Sequence, residues 1–172
     1  MDDLKRAADQ LKSSRKGKLN RDQFLNGNEA PMVASDEVLK LVQKFIDMKS
    51  IIDDPSTGLN VWVQPNLNPP GCLMRFKNMH LRITSTEFQS HHPNDDLSGP
   101  DGYVWIELFM AEGHHGVNYE KENIENTKLR FDVDESGNYG WSDHEEGHGF
   151  SSTEEVVKVW GKKFIDLLEE AE

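Results

Sequence analysis

The fold is decided by the stretch CLMRFKNMHLRITSTEF, residues 72–88, in which apolar and polar side chains alternate. Successive side chains of an extended chain point to opposite sides, so alternation collects the apolar ones on a single face. The apolar positions of this stretch are Cys72, Met74, Phe76, Met79, Leu81 and Ile83. The pattern predicts two successive strands, 72–77 and 79–88, each with one face in the core.

Similar segments on both sides extend this sheet to about six strands. LNVWV (59–63) precedes it, and TKLRFDV (127–133) turns through ESGN into YGWS (139–142), which predicts a hairpin. The segment YVWIELFM (103–110) is apolar at almost every position, which is typical of a strand covered on both faces. We therefore expect 103–110 to be the central strand.

Helical periodicity is present on either side of the strands. Residues 2–11 predict a short, weakly apolar helix, and a second helix is predicted from a cap at Ser35 through Ile46. Ser152 and Glu155 form a capping box at the start of a C-terminal helix. The helical apolar positions are Leu4, Ala7, Ala8 and Leu11, then Val38, Leu41, Val42, Phe45 and Ile46, and finally Val156, Trp160, Phe164, Leu167 and Leu168.

The order of these elements predicts an α+β fold. We expect an antiparallel sheet of about six strands in meander order, with two N-terminal helices and a C-terminal helix packed on one face. Residues 1–30 contain seven basic side chains and become strongly polar after residue 11, so we interpret them as a mobile or loosely docked basic arm. Residues 31–172 are expected to form a single α+β domain.

Composition excludes several classes of partner. The 172 residues carry 19 Lys and Arg against 31 Asp and Glu, a formal net charge of −12. Nucleic acids and anionic membranes are polyanions, so this charge argues against direct binding to either. The single cysteine, Cys72, excludes an internal disulfide and suits a reducing, cytoplasmic compartment. No run of about 18 apolar residues predicts a membrane span.

The negative charge is concentrated in residues 87–155. This segment holds 17 acidic residues against three basic ones, a net charge of −14, whereas residues 1–30 have a net charge of +2. It also holds six of the seven histidines. Two long connections, 89–102 and 113–126, lie within it, and connections of this length are often functional.

Histidines in these connections suggest a metal site. Asp143 and Glu145 accompany two of them, and the 143–150 connection is expected to lie near 89–102. Imidazole and carboxylate groups are ordinary ligands of zinc and other divalent transition metals. The candidate ligands are His91, His92, His144 and His148.

Residues 144–148, HEEGH, match the letters of the zinc-peptidase motif H-E-x-x-H. That motif functions on a helix, where imidazoles four residues apart face the same metal. Here Gly147 and Gly149 disfavour a helix, and the preceding residues 139–142 predict a strand. We therefore expect an exposed acidic loop.

Asp132, Asp134, Ser136 and Gly137 copy the spacing of the first half of a calcium-binding EF-hand loop, and Asp143 occupies its twelfth position. An EF-hand is flanked by helices, whereas both flanking segments here predict strands. Asp and Gly are also common in tight turns. A hairpin turn is the preferred interpretation, with calcium binding as the alternative.

The strand 72–77 and its neighbour carry two further candidates. Cys72 lies on the apolar side and is expected to be a buried structural thiol. His80, Arg82 and Thr84 share the opposite side of the next strand, which is either a ligand surface or an ordinary exposed face. The sequence contains no phosphate-loop, dinucleotide-binding or serine-hydrolase motif.

These observations favour a non-catalytic interaction protein. An acidic surface attracts a basic partner and speeds its association. Bacterial immunity proteins and phage counter-defence inhibitors are small acidic domains that act as nucleic-acid mimics, and the analogy is one of charge and size only. We expect binding and inhibition of a basic, nucleic-acid-handling protein. The candidate partner-binding residues are Asp95, Asp96, Glu145 and Glu146.

Two other functions stay open. The first is a metal-dependent enzyme that uses the histidine-rich loops 89–102 and 143–148. The second is a small-ligand-binding module, in which a helix closes over a curved sheet around an apolar cavity. The sequence also leaves open whether the chain forms homo-oligomers, with the basic arm docked on its own acidic surface or on that of another copy.

Overall fold

The computed structural model describes residues 1–90, 99–112, 121–143, 145 and 149–171. Within these residues, two helices precede the strands and one helix follows them. The elements are α1 (Asp2–Leu25), α2 (Ala30–Ile52), β1 (Trp62–Leu67), β2 (Pro70–Phe76), β3 (Met79–Ser85), β4 (Val104–Ala111), β5 (Lys121–Val133), β6 (Tyr139–Asp143), β7 (Gly149–Phe150) and α3 (Thr153–Leu168). In this described part of the chain, no helix combines the length and the apolar character needed to cross a membrane.

The strands form one antiparallel sheet in which each strand pairs with its neighbours in the chain, from β1 to β7. The predicted meander and α+β fold class are therefore confirmed. The sheet has seven strands rather than about six because β7 adds a short strand, in which Phe150 pairs with Trp141. Two residues are too few for alternation to be recognised in a sequence. Strand β4 lies between β3 and β5, inside the sheet as predicted.

Strand β1 lies further along the chain than the predicted strand 59–63. It runs from Trp62 to Leu67 and continues through Pro65. Proline has no backbone N–H to donate, which is tolerated here because β1 is at the edge of the sheet and pairs only with β2. The proline-rich segment after residue 63, predicted as a break, is therefore part of the strand.

Helices α2 and α3 cover one face of the sheet and enclose the core. The inward side chains of the strands, such as Met74, Leu81 and Ile106, are completely buried beneath them. The predicted apolar stripe of α2 is confirmed, because four of its five members are buried and the fifth is partly buried. The buried four are Val38, Leu41, Val42 and Phe45.

Helix α2 begins at Ala30, so the prediction that Ser35 caps it was wrong. Pro31 lies in the first turn, where the missing N–H removes no helical hydrogen bond. Ser35 lies inside the helix, and its hydroxyl donates to the carbonyl oxygen of Pro31 at 2.9 Å. A serine can satisfy its hydroxyl in either position, so its presence alone does not locate a helix start.

Helix α1 is one unbroken helix of 24 residues, whereas the sequence predicted a short helix and a polar linker. Its side chains are mostly exposed, and its attachment is near its C-terminal end. Arg21 donates to the carbonyl oxygen of Val133 and to Asp132 Oδ1, both at 2.7 Å, and Leu25 is buried in the core. Lysine and arginine are good helix formers, so the polar residues after 11 can continue the helix. The prediction stopped there because it relied on an apolar stripe, which these residues lack. Loose docking of residues 1–30 stays a prediction.

A buried chain of polar groups joins α2, β6 and α3. Trp141 Nε1 donates to Thr153 Oγ1 at 3.1 Å, and that hydroxyl donates to Glu37 Oε2 at 2.8 Å. Lys40 Nζ donates to the other carboxylate oxygen of Glu37 at 2.8 Å. Glu37 is only 8% exposed, so its charge depends on these partners for compensation.

Replacing Thr153 with valine is expected to lower the free energy of unfolding by about 1–3 kcal/mol, because the indole N–H and the carboxylate then lose a buried partner. Urea denaturation followed by circular dichroism measures the change. Thr84→Val, the same substitution at an exposed position, is the control and should change stability by less than about 0.5 kcal/mol. Equal stability of Thr153→Val and the unmodified protein would contradict the role of this hydroxyl.

Candidate binding surface of the sheet

The solvent face of the sheet is the side that points away from α2 and α3, and it carries a group of basic side chains. The strand register places the outward residues of β2 to β5 in rows across this face. Its basic residues are Arg75, Arg82, Lys121, Lys128 and Arg130. The described acidic residues that point the same way from these strands, Glu107 and Asp132, are both ion-paired. The solvent face is therefore cationic in a protein with a negative net charge.

At the centre of the solvent face, two cations hold Glu107. Arg82 Nε donates to Glu107 Oε2 at 2.7 Å, and Lys121 Nζ donates to Oε1 at 2.6 Å. Both cations also lie over the ring of Phe109, 5.1 and 4.7 Å from its centre, and the ring of His80 stacks on it at 4.8 Å. As a result Phe109 is only 2% exposed, although it points away from the helices.

Burial and neighbouring charges set the protonation of this cluster. Burial opposes ionisation of Glu107, but the hydrogen bonds from Arg82 and Lys121 outweigh it and lower the pKa of the carboxyl. Burial also lowers the pKa of the His80 imidazole, and the cations Arg75 and Arg82 act in the same direction. Near pH 7 the cluster therefore contains an ionised carboxylate and a neutral imidazole.

Two further cation–ring pairs flank the centre and are more exposed. On the β1–β2 side, the Arg75 guanidinium lies 5.0 Å from the centre of the Trp62 ring. On the β4–β5 side, Lys128 Nζ lies 4.0 Å from the centre of the Tyr103 ring, which contacts Trp105 edge-on at 6.5 Å. Trp62 and Trp105 are 39% and 38% exposed. Exposed tryptophans beside cations are typical of a binding surface.

A groove of about 340 Å³ opens on the same face between β1 and β3. Its outward-pointing lining combines the amides of Gln64 and Asn66 with the Arg82 side chain and the Thr84 hydroxyl. Gly71 forms part of its floor, where a Cβ atom would lie 2.5 Å from the carbonyl oxygen of Ile83. Strands β2 and β3 can therefore approach each other this closely only with glycine at position 71.

Most of the predicted site residues lie outside the described residues. They are the candidate metal ligands His91, His92, His144 and His148 and the candidate partner-binding residues Asp95, Asp96 and Glu146. Glu145 is described: it is exposed, and its backbone N–H donates to Asp143 Oδ1 at 2.8 Å. Among the described side chains, no three His, Cys, Asp or Glu residues are grouped so that they could hold a metal ion.

The strand register places the ends of the 89–102 and 143–150 connections in one row of the sheet. Val104, which follows the first connection, pairs with Leu129, and Leu129 pairs with Asp143, where the second connection begins. The histidines of both connections lie outside the described residues, so their meeting stays a prediction.

The EF-hand-like spacing belongs to the hairpin turn between β5 and β6, as preferred from the sequence. Asp134 Oδ1 accepts hydrogen bonds from the backbone N–H groups of Ser136 and Asn138, at 2.9 and 2.8 Å. Gly137 adopts a φ of +86°, which glycine tolerates best. Asp132 is paired with Arg21. These carboxylates therefore stabilise the turn and the attachment of α1.

The expectation that Cys72 is a buried thiol is confirmed. The residue is buried on the inward side of β2, and burial raises the pKa of its thiol to about 12. Only the thiolate is a strong nucleophile or a metal ligand. Cys72 is therefore a packing residue.

Sequence reasoning found one part of the solvent face and missed the rest. It placed His80 and Arg82 together on the outward side of a strand, which the structure confirms. It missed Glu107 and Phe109, because both lie in the strand that is apolar on both sides, and it missed Lys121, which precedes the predicted strand 127–133. The sequence does repeat aromatic and basic residues at outward positions of the strands. That they form one surface is recognised only when the pairing of the strands is known.

Comparison with known proteins does not assign a function. No family model, curated protein or solved structure matches this chain. The function must therefore follow from the chemistry of its surfaces.

His80 is expected to make stability fall below about pH 6.5. Its pKa is lowered in the folded state, so the unfolded chain binds more protons and gains stability as the pH falls through its ordinary pKa of about 6.5. The contribution is fully present above that pH. Urea denaturation at pH 7.5 and 5.5 should show a larger loss for the unmodified protein than for His80→Phe, which keeps a ring on Phe109. The same loss in both would contradict the assignment.

Proposed function

We propose that this chain is a non-catalytic interaction protein that binds a basic protein partner through acidic residues on the connections of its sheet. A partner that normally handles nucleic acid suits this surface, because exposed carboxylates compete for the cations that would hold phosphates. Binding at such cations would inhibit the partner, as the analogy with immunity and counter-defence proteins suggests.

The observation that supports this proposal is the contrast between two classes of acidic residue. Acidic residues on the solvent face are ion-paired, as for Glu107. On the connections, Glu87, Glu112 and Glu145 are exposed, and none of them forms an ion pair with another described residue. Exposed carboxylates of this kind make the electrostatic potential at the rim of the sheet more negative. A negative potential speeds association with a basic protein.

A charge-reversal experiment tests the proposal. The variant replaces with lysine the four candidate residues Asp95, Asp96, Glu145 and Glu146. The matched control reverses four exposed acids of α1 and the C-terminus, Asp2, Asp3, Glu169 and Glu170, for the same change in net charge. Binding to a panel of purified basic nucleases is measured by surface plasmon resonance at 50 and 500 mM NaCl.

We expect the first variant to lose at least about tenfold in affinity for a nuclease that the unmodified protein binds, mainly through slower association at low salt. The control should lose much less, and binding of the unmodified protein should weaken at 500 mM NaCl. Equal losses in both variants, or binding that is indifferent to salt and to charge reversal, would count against the proposal.

The metal-dependent enzyme stays the main alternative, and metal content decides it. The measurement uses untagged protein, because a histidine tag binds metal itself, with thermal melting before and after EDTA. The interaction proposal predicts less than about 0.1 metal ion per chain and an unchanged melting temperature. Near-stoichiometric zinc, manganese or iron, lost with a lower melting temperature in EDTA, would favour the enzyme and be tested further with His144→Ala and His148→Ala.

The small-ligand alternative expected an apolar cavity between helix and sheet. In the described part of the chain, that space contains the packed side chains of Phe45, Trp141 and Phe164. The groove at Gln64 and Arg82 is on the opposite side of the sheet. If this protein binds a small ligand, the groove on the solvent face is therefore a better candidate site than the space under the helices.

A further inference from the structure

From the solvent face we infer a second binding surface, for short single-stranded nucleic acid. Arg75, Arg82 and Lys128 would hold phosphates, and the exposed rings of Trp62 and Trp105 would contact bases. This surface uses no residue of the acidic connections, and the inference does not depend on the proposed protein partner.

Local charge is the first support. The sequence argued against nucleic-acid binding from the net charge of −12, which averages over all faces. Charges separated by more than about 8 Å are largely screened at physiological ionic strength, so a bound strand responds mainly to the face it touches. On the solvent face, the only acidic strand residues described are already neutralised by Arg82, Lys121 and Arg21.

The arrangement of the cations and rings is the second support. Arg75 pairs with His80, so Arg82 is its diagonal neighbour on the next strand, at about 7–8 Å. Lys128 pairs directly with Trp105. The basic side chains thus follow a band from β2 to β5, with an exposed tryptophan at each side. A chain of phosphates with attached bases can follow such a band, whereas a single small anion would use one end of it.

Ring chemistry favours nucleic acid over an acidic polypeptide. Bases of a single strand stack on aromatic rings and on guanidinium planes, and the Arg75 guanidinium lies 5.0 Å from the centre of the Trp62 ring, where both groups are available to the same base. Carboxylates of an acidic peptide would use the cations but leave both tryptophans exposed. The bases of a duplex are stacked on one another inside it, so they likewise cannot stack on the two tryptophan rings.

The groove is the third support. Its volume of about 340 Å³ is in the range of small-molecule sites, and it lies beside Arg82. Gln64 and Asn66 supply amides that both donate and accept hydrogen bonds, as base edges require. One unstacked base can therefore enter the groove while its phosphate stays on the cationic band.

The test uses the full chain and fluorescein-labelled dT12 in 50 mM NaCl, with binding read by fluorescence anisotropy. We expect saturable binding that weakens with salt. The double variant Arg75→Gln/Lys128→Gln should bind about tenfold more weakly, and its salt slope should be smaller by about 1.4, since each phosphate contact in a single strand contributes about 0.7. The matched control Lys158→Gln/Lys162→Gln removes the same charge from α3 and should change affinity less than twofold.

The tryptophans give a second readout. Trp141 and Trp160 are buried, so quenching of intrinsic fluorescence by unlabelled dT12 would come from Trp62 and Trp105. The variant Trp62→Leu/Trp105→Leu should lose this quenching and bind at least about fivefold more weakly with an unchanged salt slope. Thermal melting checks that each variant is folded. If a double variant does not fold, Lys128→Gln alone should still reduce the slope by about 0.7.

Three results would overturn the inference. The first is the absence of saturable dT12 binding at 50 mM NaCl. The second is an equal loss of affinity in the α3 control and in Arg75→Gln/Lys128→Gln. The third is competition by a 12-base-pair duplex or by polyglutamate that matches competition by unlabelled dT12, because this would show attraction of any polyanion.

Discussion

At Glu107 and Phe109, strand β4 is buried on its outward face as well as on its inward face, and much of the structure follows from how this is achieved. Its inward side chains, such as Ile106 and Leu108, are covered by the helical layer. Its outward side has no helix above it, so Glu107 and Phe109 are covered by side chains from the neighbouring strands. A buried carboxylate without partners would cost several kcal/mol, and the two cations that prevent this also close over the ring.

The same cations give the sheet its distinctive surface. Because Arg82 and Lys121 satisfy a single carboxylate between them, the centre retains positive charge, and Arg75 and Lys128 extend it to both sides. The connections around the rim carry exposed acids that form no ion pair with another described residue, namely Glu87, Glu112 and Glu145. The alternation of strand side chains thus gives a chain of negative net charge one face of positive charge.

Sequence patterns predicted the regular part of this fold well, because alternation and helical periodicity report burial directly. The strands 72–77, 79–88 and 103–110 and the helix after Ser152 were all found. The predictions failed for elements in which burial leaves no recognisable apolar pattern in the sequence. Helix α1 is polar and exposed over most of its length, and β7 is too short to alternate.

By itself, the sequence determined the fold class, the central strand, the buried thiol at Cys72 and the outward placement of His80 and Arg82, since each depends on a local repeat. Only the tertiary structure decided which outward residues become neighbours. Glu107 meets Lys121 because β4 and β5 pair in one register, with a bulge beside Phe109. Strand register depends on contacts between segments far apart in the chain, and a local pattern does not contain that information.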